Sequence, residues 1–191
     1  EIPNATNKIY TLIESDIGTK ITVNVSYLDG EGNNETITSA PTNFISSAIS
    51  TEPTNGNDVL TGTDKKDALN GLDGNDTIIG GLESDILTGG SGADIFQFNS
   101  IQDSGINSDS RDVITDFNHG EKDKLDFTEI TKKVPLHFIG NQPFSKNNAT
   151  GEIRFDTTNH ILYVSTNIDN KPEFSIDFKD TKNLVNDDFY F

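Results

Sequence analysis

Between residues 58 and 97 one apolar residue recurs at every ninth position, at Leu60, Leu69, Ile78, Leu87 and Phe96. An acid keeps the same phase two positions earlier, at Asp58, Asp67, Asp76, Asp85 and Asp94. In frame the units read PTNGNDVLT, GTDKKDALN, GLDGNDTII, GGLESDILT and GGSGADIFQ, and glycine opens the last four. Six residues rich in Gly, Asn and Asp predict a turn, and three residues with one inward apolar side chain predict a very short strand. Two units then make one coil of eighteen residues, and successive coils stack as parallel strands about 4.8 Å apart. The pattern predicts a parallel β-roll over 53–97. Turns of alternate units would lie above one another, with Asp58, Asp76 and Asp94 on one edge and Asp67 and Asp85 on the other.

The flanks alternate differently. LHFIG at 136–140, EIRFD at 152–156, ILYVST at 161–166 and EFSIDF at 173–178 read as strands separated by turn signals. They predict an antiparallel β-sandwich over 98–191 that continues the roll and covers its last coil, as terminal coils require. At the other end, Ile21, Val23, Val25 and Tyr27 alternate before a turn at Asp29–Asn33, which predicts a hairpin with one buried face. Residues 41–52, rich in Ser and Thr, read as a linker.

Composition narrows the chemistry. The 191 residues carry 31 acids against 14 bases, a net charge of −17, so nucleic acid and anionic membranes are excluded as partners and cations are favoured. Carboxylates stacked along the edges of a roll would repel one another unless a cation lay between them. Asp oxygens and turn carbonyls are the hard ligands calcium takes in six- to eightfold coordination. With no Cys there is no disulfide, thiolate nucleophile or zinc-thiolate site. No apolar run approaches the roughly 18 residues of a membrane-spanning helix, so membrane insertion is not expected. The chain has no Met and no visible signal peptide, and reads as a monomeric piece of a longer protein.

The nonapeptide resembles the G-G-x-G-x-D-x-U-x calcium-binding repeat of RTX proteins, the hemolysin-type family. That resemblance implies an all-β fold, a calcium-bound parallel β-roll, and export from Gram-negative bacteria by type I secretion. It carries the ligand role to the carboxylates of Asp58, Asp67, Asp76, Asp85 and Asp94. Carbonyls of Gly56, Gly62, Gly71, Gly74, Gly80, Gly81, Gly89, Gly90 and Gly92 would complete the sites. At least three ions are expected, between units one and three, two and four, and three and five. Pro53 and Thr54 depart from the glycine pair, while Lys65 and Glu83 replace turn glycines. The run RDVITDFNHGEKDKLDF, from Arg111 to Phe127, resembles the segment after the roll in the C-terminal domain of serralysin-type proteases. By that likeness Asp103, Asp112 and Asp123 form a further calcium site, while Asp116 and Asp126 can instead cap strands or turns. The terminal DDFYF resembles the C-terminal signal of secreted metalloproteases, which would make Phe191 the natural end. Residues 1–40 resemble part of an Ig-like repeat of bacterial surface proteins.

Catalytic patterns are missing from the sequence. His119, His137 and His160 make no H-E-x-x-H pair, and no G-x-S-x-G elbow or phosphate-binding G-x-x-x-x-G-K-[ST] occurs. The expectation is a non-catalytic calcium module promoting export and extracellular folding of a large secreted or cell-surface protein. An adhesin meeting host or biofilm ligands is the first choice of parent. An accessory module of a secreted enzyme (protease, lipase or polysaccharide-modifying enzyme) is the alternative, and ligand binding along the roll, for instance of polysaccharide, is a third.

Overall fold

The computed structural model describes residues 20–28, 30–41, 53–145, 150–167, 169 and 171–191. The chain divides into two units, Glu1–Ile49 and Ser50–Phe191. In the first, β1 (Asn24–Leu28) and β2 (Asn34–Thr38) form an antiparallel hairpin, with Tyr27 opposite Glu35 and Val25 opposite Ile37. The alternation sorts Val23, Val25, Tyr27 and Ile37 as expected, but no face is covered: every residue of both strands is exposed among the described residues. Alternation encodes which side chains share a face and not what lies against it. IYTLIESDIG, read as part of the same repeat, lies outside the described residues.

The second unit is the roll. Strands β3 (Val59–Thr61), β5 (Thr77–Ile79) and β7 (Ile95–Gln97) build one sheet, while β4 (Ala68–Asn70) and β6 (Ile86–Thr88) build the other. All pairs are parallel, and the partners Leu60↔Ile78, Ile78↔Phe96 and Leu69↔Leu87 sit one coil apart. Each strand turns a single side chain inward. Leu60, Ile78, Leu87 and Phe96 are at most 2% exposed, whereas Leu69 in the first coil is only half-buried. One such residue contributes roughly 1.5–3 kcal/mol, so the coils depend on stacking.

The stack runs on past residue 97 without a break. β8 (Asp112–Ile114) pairs in parallel with β6, and β9 (Lys124–Asp126) with β7, placing Ile114 opposite Leu87 and Leu125 opposite Phe96. The stacking of inward apolar residues therefore continues although the partners are no longer eighteen residues apart. Beyond them, β10 (Leu136–Phe138), β11 (Gly151–Asp156), β12 (Ile161–Ser165) and β13 (Phe174–Phe178) extend the second sheet to seven strands. β11, β12 and β13 are antiparallel, and β13 joins β8 in parallel. Phe189–Tyr190, β14, adds a fifth strand to the first sheet beside β9. A single helical turn, α1 (Thr128–Thr131), follows β9.

Aromatics fill the space where the sheets meet. Phe98 stacks on Phe127 at 5.5 Å and meets Phe174 edge-on at 5.2 Å, while Phe178 receives Phe117 and Phe155 edge-on. Offset and edge-to-face contacts of this kind add to area burial. The all-β prediction holds in outline: a parallel roll grows into an antiparallel layer that covers its last coil.

Candidate metal centre

Each repeat aspartate stands where its turn enters its strand, and its amide donates across one coil to the carboxylate of the acid stacked on it. The amide of Asp58 donates to Asp76 Oδ1 (2.8 Å), and the amide of Asp76 donates to Asp94 Oδ1 (2.9 Å). On the other edge the amide of Asp67 donates to Asp85 Oδ1 (2.8 Å). The ladder continues outside the repeat. Asp85 donates to Asp112 Oδ1 (2.9 Å) and Asp94 to Asp123 Oδ1 (3.0 Å). These bonds set the register of the edges, and they use one oxygen each of Asp76, Asp85, Asp94, Asp112 and Asp123.

The other oxygens divide the acids into two groups. Oδ2 of Asp76, Asp85, Asp94 and Asp112 is buried with no hydrogen-bond partner. These four side chains are at most 1% exposed. A buried ionised oxygen without a partner is costly, so a cation is the natural complement. By contrast, Thr54 donates its amide (2.7 Å) and hydroxyl (2.9 Å) to Asp58 Oδ2. Thr63 does the same to Asp67 Oδ2, at 2.6 and 2.8 Å. Asp103 Oδ2 accepts the amides of Asn99 and Ser100, and Asp123 Oδ2 accepts the amide of Asn118.

The glycines leave room around the orphaned oxygens. A methyl placed on Gly71 would collide with Asp76 Oδ2 and stand 2.5 Å from the Gly89 carbonyl oxygen. Methyls on Gly80 and Gly89 would strike Asp85 Oδ2 and Asp94 Oδ2, and one on Gly62 would meet Asp67 Oδ2 and the Gly80 carbonyl. Higher in the turns, Gly74 and Gly92 stack against the carbonyls of Gly56 and Gly74, while Gly81 and Gly90 lie against those of Thr63 and Leu72. Coils approach here backbone to backbone, a distance that excludes side chains.

The electrostatics agree with the burial. Loss of water pushes Asp85 up to about 6 and Asp112 up to about 8, with neighbouring carboxylates raising both further and the ladder bonds opposing. Asp123 is pushed up to about 6 by the same cause. Asp76 and Asp94 rise through burial and the adjoining acid of the stack, and Asp103 rises through burial. Among the described residues no three His, Cys, Asp or Glu side chains converge on a point. A cation here would draw most of its ligands from turn carbonyls and only one or two from carboxylates. That all-oxygen set, with no nitrogen or sulfur, suits calcium. The residues fit the ion.

Of Asp103, Asp112 and Asp123, expected to share one site, the first two are neighbours and Asp123 stands apart. Asp112 continues the edge of Asp67 and Asp85, whereas Asp123 continues the edge of Asp58, Asp76 and Asp94. Asp103 lies electrostatically beside Asp85 and Asp112. β8 and β9 keep the alternation of the roll, one strand in each sheet, so the two acids fall on opposite edges. Asp116 takes the amides of Gly89 and Gly90, and Asp126 that of Thr128, so both cap turns. The part played by Thr54 and Thr63 was not anticipated. Its signal was available, since only the first two units have threonine where a second glycine belongs.

The sequence profile of the peptidase M10 serralysin C-terminal family matches residues 15–191. The chain belongs to that family. The match begins upstream of the hairpin and so takes in β1 and β2. Among solved structures, this serralysin C-terminal chain is similar to the solution structure of the AlgE6R3 subunit of the Azotobacter vinelandii mannuronan C5-epimerase. Identity is 24%, the TM-score 0.52, and the alignment covers 72% of this chain and 75% of that one. The AlgE6R2 subunit of the same epimerase aligns at 25% identity and TM-score 0.46, over 74% and 94% of the two chains. The first likeness establishes a shared fold. No curated protein matches the chain.

Proposed function

We propose that this chain is a non-catalytic calcium-binding β-roll that assists type I export of its parent protein and directs its folding outside the cell. The observation that carries this reading is the set of four buried carboxylate oxygens without partners, at Asp76, Asp85, Asp94 and Asp112. Calcium supplies the missing charge, bound by these acids and by turn carbonyls, with at least three ions in the roll. Where calcium is scarce, a net charge of −17 and unpaired buried acids disfavour the stack and leave a chain that can thread an export channel. Extracellular modules bind calcium at around 10⁻⁴–10⁻³ M, and binding is coupled to folding. The partners are therefore calcium and the type I secretion apparatus, and the place of work is outside a Gram-negative cell.

The test is a calcium titration of chelator-treated protein followed by far-ultraviolet circular dichroism, with magnesium as control. Strand signal and compaction should appear with calcium and not with magnesium, which demands a tighter octahedral shell. Equal folding in chelator and in calcium would refute the reading.

For the parent, membership in the C-terminal family of a peptidase supports an accessory module of a secreted enzyme. The adhesin reading rests on the alternating segment from Ile21 to Ile37. Sequence upstream of Glu1 separates them: a catalytic motif means an enzyme, and tandem repeats mean an adhesin.

A further inference from the structure

The five repeat acids share one sequence phase, yet their turns are built in two ways. In units three, four and five the second position is Leu72, Gly81 or Gly90, and all three take positive φ, at 75°, 102° and 97°. The neighbouring Asp oxygen is then left without a donor. In units one and two that position is Thr54 or Thr63, and neither enters the left-handed region. A β-branched residue is strained there, so the turn takes the other conformation. The threonine amide and hydroxyl both swing onto Asp Oδ2. Each hydroxyl also accepts an amide two residues on, from Gly56 (3.1 Å) or Lys65 (3.2 Å). A carboxylate oxygen has two lone pairs, and two donors fill them.

Resting on the calcium reading above, we infer that the first coil closes without a cation. Thr54 and Thr63 occupy the places that ions take further along the roll, and metal binding begins at unit three. The register of ions shifts accordingly. The space between units two and four, where Gly62 faces both Asp67 Oδ2 and the Gly80 carbonyl, is served by Thr63. The equivalent space between units three and five, where Gly71 faces Asp76 Oδ2 and the Gly89 carbonyl, has no such donor and takes an ion. Asp85 and Asp94 bind next, against the segments that carry Asp112 and Asp123. The physical reason lies in the stack: the first coil has a neighbour on one side only. Local donors hold its turns where the neighbour's ladder bond is missing. Lys65 and Lys66 add positive charge beside Asp67, which further disfavours a cation there.

The test measures calcium stoichiometry on the full chain by equilibrium dialysis with calcium alone. Asp58→Asn and Asp67→Asn should leave the number of bound ions unchanged, while Asp76→Asn and Asp85→Asn should each lower it by about one. The double variant Thr54→Gly/Thr63→Gly should raise it, because both oxygens are freed and both turns can adopt positive φ. If that variant does not fold, the asparagine series decides alone. Loss of an ion in Asp67→Asn equal to that in Asp85→Asn would overturn the inference while leaving the calcium reading intact. Absence of calcium binding by the unaltered chain would overturn the reading itself.

Discussion

Replacing Gly90 with alanine asks how much the backbone-to-backbone stacking contributes. Gly90 has φ +97°, and a methyl there would stand 2.7 Å from the Leu72 carbonyl carbon and closer still to its oxygen. That carbonyl cannot move aside cheaply, because it accepts the amide of Ser91 (2.7 Å). Gly140 supplies the control: its φ is +66°, and nothing lies within 4 Å of an added methyl. Gly140→Ala therefore carries only the left-handed backbone cost, about 1–2 kcal/mol. Gly90→Ala carries that cost and an overpacking cost of about 1–3 kcal/mol, together about 3 kcal/mol. If three ions bind with folding, the loss divides into about 1 kcal/mol per ion, or about a fivefold rise in the calcium midpoint. The assay is the calcium titration by circular dichroism, run on both variants beside the unaltered chain. Equal shifts in Gly90→Ala and Gly140→Ala would refute the claim that coil-to-coil contact, and not φ alone, requires the glycine.

Acidity should act in opposite directions on the two forms. Asp85, Asp112 and Asp123 have folded values raised to about 6, 8 and 6, so the folded calcium-free chain holds more protons than the unfolded one as pH falls from 8 toward 4. Calcium-free strand content should rise on acidification and be lost as pH rises through those values. Calcium competes with the protons of Asp85 and Asp112, so its midpoint should be higher at pH 5.5 than at pH 7.5; a midpoint independent of pH would exclude these two as ligands. Residues 53–97 alone should stay disordered in millimolar calcium while 53–191 folds, because β8 and β9 supply the next rungs and Asp112 and Asp123 the next ladder acceptors. Circular dichroism of the two fragments checks it, and a folded 53–97 would show that the cap is dispensable. Asp188 is buried against His119 and accepts the Val185 amide. Asp188→Ala should cost about 1–3 kcal/mol and speed hydrogen exchange at the Phe127 amide, which donates to Tyr190. Unchanged exchange there would mean that β14 is held without Asp188.

The roll was legible because its rule is local. A three-residue strand has one inward position, so the phase of Leu60 to Phe96 is the phase of the core, and the glycine and aspartate turns carry their geometry in their residue types. The four cap strands were readable for the same reason, from alternation and turn residues. What local pattern does not hold is the identity of the neighbour. Ile114 and Leu125 continue the stack after loops have lengthened the eighteen-residue coil, and only the fold reveals Asp112 under Asp85 and Asp123 under Asp94. The exposed hairpin makes the same point, since its alternation does not say whether anything lies against Val25. Five aspartates that look alike in the sequence also part company in space. Whether a carboxylate oxygen is left without a partner depends on the backbone conformation two-thirds of a turn away and on the coil next to it. Hydrogen-bond satisfaction belongs to the three-dimensional neighbourhood, and there Thr54 and Thr63 separate Asp58 and Asp67 from Asp76, Asp85 and Asp94.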